Sequence, residues 1–162
     1  MADTPKSNEE RWPAVISAYD FVQPSYALMA TRVEAVVTRI QALMTFSATI
    51  TLGFAVLGQA IHRNISYFSA PFAIAVGFFI LLMALGIVAR DLGELMLTSP
   101  GKIYDSSLHL SEWEFKRNSL FLAGKSFDHN LNLIARKSEY GRAMSILLLG
   151  EVVSFLAWFI WG

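Results

Sequence analysis

The chain has 162 residues, with 13 basic against 13 acidic side chains, no cysteine, and a composition that is 54% hydrophobic and only 16% charged. A soluble domain is about 45–50% apolar and about 25% charged, so this chain is too apolar for an ordinary soluble domain and far too apolar for a disordered one. The even charge balance lacks the basic excess of a nucleic-acid binder, and the absence of cysteine excludes a disulfide framework, a thiolate metal site and a thiol nucleophile.

Residues 1–24 read as a polar N-terminal arm. Its first eleven residues look disordered. Pro13 opens a short amphipathic helix with Trp12, Ile16 and Tyr19 on one apolar face, and Pro24 is expected to break it.

Residues 25–62 read as one long helix. Tyr26, Met29, Val33, Val36, Val37 and Ile40 recur at steps of mainly three and four, an amphipathic stripe. No Gly or Pro separates this stripe from the apolar run that follows. From Ile40 to His62 there are 23 residues without Lys, Arg, Asp or Glu, and a spanning helix needs about 20. A continuous helix from about Ser25 to Ile61 is about 55 Å long, so its first turns project beyond a hydrocarbon core of about 30 Å. No long apolar run begins before Ile40, so this first span is expected to act as the insertion signal.

His62, Arg63 and Asn64 mark a short polar connection. Asn64-Ile65-Ser66 matches a glycosylation sequon, but it sits at the membrane surface and is read as coincidence. Residues 63–98 hold the second span, in a run of 26 uncharged residues from Asn64 to Ala89. Pro71 suits its first turn. The helix is expected to overrun to about Leu97 and stop at Ser99-Pro100-Gly101.

Residues 99–125 read as a cytoplasmic or interfacial helical segment. Ser111 with Glu114 three residues on is a capping-box pattern. The helix it opens carries Trp113, Phe115, Leu120 and Phe121 among Lys116 and Arg117. That mix suits either the membrane–water interface, with Trp113 as an anchor, or packing against the other cytoplasmic helices. Gly124 is expected to end it. Ser126 then caps a last long helix, residues 126–162, whose final 20 residues from Ala143 form a third span with one charge, Glu151.

The expected fold class is an all-α integral membrane protein of three transmembrane helices extended into a cytoplasmic helical layer. Lys and Arg set the orientation. Four flank the first span on its N-terminal side, eight lie between Arg90 and Arg142, and the hairpin holds only Arg63. This places the N-terminus inside and the C-terminus outside, and the absence of cysteine fits a multi-pass protein of a bacterial inner membrane.

Small residues allow membrane helices to approach closely. Thr45, Thr49 and Gly53 form one row at four-residue spacing, and Ser47, Thr51 and Ala55 form another. Ala73 with Gly77, and Gly150 with Ser154, repeat the spacing in the other spans. These rows serve either packing within one chain or assembly of a homo-oligomer. Trp158 and Trp161, with Phe155 and Phe159, are expected to form an outer aromatic belt, joined by Tyr67 and Phe68.

Glu151 falls near mid-bilayer, where a charge costs from about 3 to over 10 kcal/mol. It must be protonated, paired or facing water. Thr45, Thr49, Thr51 and Ser154 are neutral partners at its depth, with Gln41 nearer the inner surface. Function is the default reading of an intramembrane carboxyl, either a ring lining a pore or a protonation site. The alternative is a carboxyl bonded between helices as structural glue. His62, His109 and His129 are scattered and show no metal spacing, and no phosphate loop, dinucleotide fingerprint or nucleophile elbow occurs. Neither catalysis, a metal nor a cofactor is expected.

The segments Arg32-Val-Glu-Ala-Val-Val-Thr-Arg-Ile-Gln-Ala-Leu-Met-Thr-Phe-Ser and Asn132-Leu-Ile-Ala-Arg-Lys-Ser-Glu-Tyr-Gly-Arg-Ala-Met-Ser each run a charged helix straight into a span. Over residues 25–162 the arrangement resembles small bacterial membrane effectors of conflict systems such as the SLATT group, although a third span departs from their two-span pattern. The resemblance implies a phage-defence effector that disrupts the inner membrane when a cytoplasmic protein or a nucleotide signal triggers it. A non-conducting anchor that docks a cytoplasmic partner is the other reading of the same features.

Overall fold

A computed structural model describes residues 8–61, 69–96 and 109–161. Among them there are four helices and no strand: α1 Asn8–Arg11, α2 Val15–Ile61, α3 Ala70–Asp91 and α4 Glu112–Trp161. Three of these, α2, α3 and α4, are long and apolar enough to cross a membrane. The expected all-helical class and the three candidate spans are therefore present. The polar connection at His62–Asn64, the belt residues Tyr67 and Phe68, and the Ser99-Pro100-Gly101 stop lie outside the described residues.

Three expected helix ends are displaced. Pro24 does not break α2 but lies inside it. Its ring removes the N–H that would reach the Asp20 carbonyl, and Asp20 and Pro24 are both exposed, so water can solvate that oxygen. Contacts on both sides hold the helix through: Tyr19 meets the Phe115 ring edge-on at 6.5 Å, and the Tyr26 hydroxyl donates to the Ala123 carbonyl at 2.5 Å.

Gly124 does not end a helix either. The 50 residues from Glu112 to Trp161 are one α-helix. A helical glycine costs only about 1 kcal/mol relative to alanine, and Gly124 does not take the left-handed conformation of a helix stop. Ser126 is accordingly no cap; its hydroxyl donates to the Leu122 carbonyl one turn back.

The α3 helix, in contrast, stops early. Leu92 is its C-cap and Gly93 follows at φ +106°, a backbone conformation that glycine adopts readily. The expected overrun toward Leu97 does not form. Pro71 does stand in the first turn of α3.

The chain divides into two compact units. The first holds Met1–Arg32 and Glu94–Leu133. Its part of α4 opens with the capping box: the Ser111 hydroxyl accepts from the Glu114 N–H, and the Glu114 carboxylate accepts from the Ser111 N–H at 3.2 Å. Trp113 is buried, its indole N–H donates to the Trp12 carbonyl at 3.4 Å, and Arg117 covers its ring. Trp113 is thus a core residue of this unit and not an interfacial anchor. Of the expected apolar face, Tyr19 packs while Trp12 and Ile16 are exposed.

Asn130 is wholly buried in the same unit. Its amide oxygen accepts from the Met96 N–H at 2.8 Å, and its amide nitrogen donates to the Met96 carbonyl at 3.4 Å. One side chain thereby satisfies both backbone groups of a residue that has no helix to bond it.

The second unit holds Val33–Gly93 and Ile134–Gly162. One core cluster gathers Ile40, Leu82, Ala89 and Met144. Another gathers Ala75, Phe155 and Trp158 against Ile50, Phe54 and Phe72. The outer surface is apolar as well: Phe46, Leu52, Val56, Ile80, Ile87, Leu149 and Ile160 are all exposed. Buried inside are Ser47, Lys137 and Glu151. Soluble monomers rarely expose contiguous apolar patches of more than a few hundred Å²; an apolar outside with polar groups within is what a lipid surround favours.

Candidate functional site around Glu151

The site forms where α2 and α4 pack in the second unit. On α2, Ser47 and Thr51 are one turn apart and share a face. On α4, Glu151 is wholly buried. Ser47 Oγ donates to Glu151 Oε2 at 2.5 Å, and Thr51 Oγ1 donates to Oε1 at 2.7 Å. Each carboxyl oxygen therefore has a hydroxyl of its own. No basic side chain bonds to the carboxyl among the described residues.

Of the neighbours of Glu151 expected from the sequence, Thr51 bonds the carboxyl, while the structure puts Thr45 and Thr49 elsewhere. Both are exposed, and the Thr49 hydroxyl donates to its own helix at the Thr45 carbonyl, 2.9 Å. Two residues of α-helix turn the chain by about 200°, so the row 45, 49, 53 faces away from the row 47, 51, 55. Of the two rows, the second contains the partners. Ser47, which the sequence offers only as a small residue, is the functional group that sequence reasoning misses; its shared face with Thr51 is the signal that identifies it. Ser154 is half-buried and makes no hydrogen bond to the carboxyl; Gln41 is exposed and stands apart from it.

The small residues sort the same way. A Cβ added at Gly53 or Gly77 would meet nothing within 4 Å, and Ala73 is exposed, so among the described residues these do not pack helices together. Ala55 is half-buried. Gly150 does pack: its missing side chain makes room for the Phe78 ring, 3.0 Å from where a Cβ would lie. Two further glycines carry the close contacts. Gly58 accommodates the Trp158 ring, and Gly86 accommodates Met44.

Trp158 and Phe155 are fully buried and do not form an outward belt. Phe155 stacks on Phe54 with centroids 5.0 Å apart, and Trp158 lies against Phe72 at 5.1 Å. They close the core one turn and two turns beyond Glu151, on the same face of α4. The Trp161 side chain lies outside the described residues.

Near the other end of this unit, Lys137 is buried and its ammonium donates to the Arg90 carbonyl at 3.5 Å. That oxygen belongs to the last turn of α3, where helical carbonyls lack partners and the helix dipole favours a cation. Among the described residues, no group of three or more metal-ligating side chains occurs. No family model, curated protein or solved structure matches the chain.

Proposed function

We propose that this chain is a small oligomeric membrane effector that forms a pore in, or otherwise perturbs, the bacterial inner membrane, in phage defence and on a cytoplasmic trigger. The observation that carries the reading is the carboxyl of Glu151, wholly buried within an apolar candidate span and, among the described residues, held by two hydroxyls. A carboxyl in a membrane interior is costly, and a leucine would fill the same space without that cost. The Lys/Arg distribution supports an inward N-terminus and an outward C-terminus. The open small-residue row of Thr45, Thr49 and Gly53 supports assembly of copies through α2. The trigger is a cytoplasmic protein or a nucleotide signal.

In this reading the bonded carboxyl is the resting arrangement, and activation frees Glu151 from Ser47 and Thr51. Induced expression with a membrane-potential dye tests it. Depolarisation that is lost in Glu151→Gln supports the effector. Unchanged potential and growth with the trigger present overturns it.

The second reading is a non-conducting anchor or accessory subunit for a cytoplasmic partner. The observation favouring it is that both oxygens of Glu151 are satisfied within one chain, so the carboxyl needs no pore to explain it. A stable partner in pull-downs, together with a Glu151→Gln variant that keeps full function, would decide for this reading.

A further inference from the structure

We propose that the groove between α2 and α3 binds the phosphate headgroup of an anionic phospholipid. Val37, Ile40, Gln41 and Met44 from α2, with Gly86 and Arg90 from α3, line a small hollow there. Its floor is apolar, and its polar members are Gln41 and Arg90, both exposed. Val37, Gln41 and Met44 follow one another at helical spacing on one face of α2, as Gly86 and Arg90 do on α3.

The charge of the groove selects the occupant. The Arg90 guanidinium has no ion-pair partner among the described residues. No carboxylate lines the hollow, although Asp91 is next in sequence. The carbonyl end of α3 carries partial negative charge, and the Lys137 ammonium bonded to the Arg90 carbonyl offsets it. Among the described residues the mouth thus holds a guanidinium without an ion-pair partner, whose fork of donors matches a phosphate. Beneath it, Val37, Ile40 and Met44 offer apolar contact to the chain that a free phosphate lacks. The hollow is small, so the headgroup sits at its mouth and the floor gives only a short apolar contact. Basic pockets between spans on the cytoplasmic side suit anionic lipid headgroups in general.

Such a site requires membrane insertion but not pore activity. Full-length protein extracted from membranes is tested by native mass spectrometry with phosphatidylglycerol against phosphatidylcholine of the same acyl chains. The expected result is selective retention of phosphatidylglycerol, weakened about tenfold or more in Arg90→Gln, as loss of a charge-assisted bond implies, and weakened less in Gln41→Leu. Arg39→Gln is the control, since Arg39 donates to Ser145 on α4; it is expected to retain the lipid. Equal retention of both lipids, or equal loss in Arg39→Gln and Arg90→Gln, overturns the site. Displacement by millimolar inorganic phosphate also overturns it, because the ligand would then be an anion and not a lipid. Release of the chain by an alkaline membrane wash is a different failure, that of membrane insertion itself.

Discussion

Ser47 and Glu151 face each other as two wholly buried polar side chains, the hydroxyl donating to Oε2. Neither has access to water, so each supplies the other with what solvent would otherwise provide. Ser47→Ala is expected to destabilise the protein by about 1–3 kcal/mol, the cost of an orphaned buried acceptor. A double-mutant cycle of Ser47→Ala with Glu151→Gln, followed by unfolding in detergent, is expected to give a coupling of about 0.6 kcal/mol and up to about 1.7. Zero coupling would show that the pair does not act as one.

The glycines separate into those that are filled and those that are not. At Gly58 an added Cβ would lie 2.5 Å from Cη2 of the Trp158 ring, which is rigid and fully buried. Gly58→Ala is therefore expected to cost about 1–3 kcal/mol through overpacking. At Gly86 the nearest atom is the Met44 sulfur, the mobile end of a flexible chain, so Gly86→Ala costs less. Gly53→Ala meets nothing within 4 Å and is expected to stabilise α2 by up to about 1 kcal/mol. Thermal unfolding of the three variants gives the order directly. If Gly53→Ala instead disperses an oligomer, that row is an assembly face.

Asn130 bonds both backbone groups of Met96. In Asn130→Ala those groups lose their partner, and the Met96 amide is expected to exchange its hydrogen about tenfold faster or more. Asn130→Asp keeps the acceptor but loses the donor and is expected to fall between. Unaltered exchange in the alanine variant would mean that water or another group protects Met96.

Exposed Glu112 and half-buried Lys116 form an ion pair at 2.7 Å on the first turns of α4. The hydrogen bond to Lys116, with its charge, holds the Glu112 carboxyl below its ordinary value of 4.5. A lowered folded-state value means the pair's contribution is complete above pH 4.5 and fades as the pH falls through the lowered value. Lys116 is raised by the same bond, so its contribution is complete below 10.5 and fades at higher pH. Glu112→Gln is expected to remove the part of the acid-side slope that this pair adds below pH 4.5. The change is small, because exposed pairs contribute little and are screened by salt.

The parts of the fold that depend on long runs of residues are legible in the amino-acid sequence. The three apolar stretches and the stripe from Tyr26 to Ile40 are patterns over many positions, and no single residue decides them. The Ser111–Glu114 cap is legible because both partners lie within one turn. The helix ends expected at Pro24 and Gly124 do not form, since a single breaker weighs about 1–3 kcal/mol against packing from residues distant in sequence, such as Tyr19 on Phe115 and Tyr26 on Ala123. Glu151 stands out as a lone charge in an apolar run. Its partners do not, because two rows of small residues on opposite faces of α2 look alike until α4 is placed against one of them. Trp113 and Trp158 have the type and position of anchors, and only tertiary contacts show that they are enclosed.

The two buried ionisable groups of α4 in the second unit have a mechanical consequence. Lys137 holds α4 to the end of α3, and Glu151 holds it to α2. They are fourteen positions apart in the chain, about 21 Å along the helix. Sliding α4 along its axis by one turn, about 5.4 Å, would tear both attachments at once and leave two ionisable groups unsatisfied. The helix is thus pinned at two levels, and the buried Phe155 and Trp158 clamp it again beyond the glutamate.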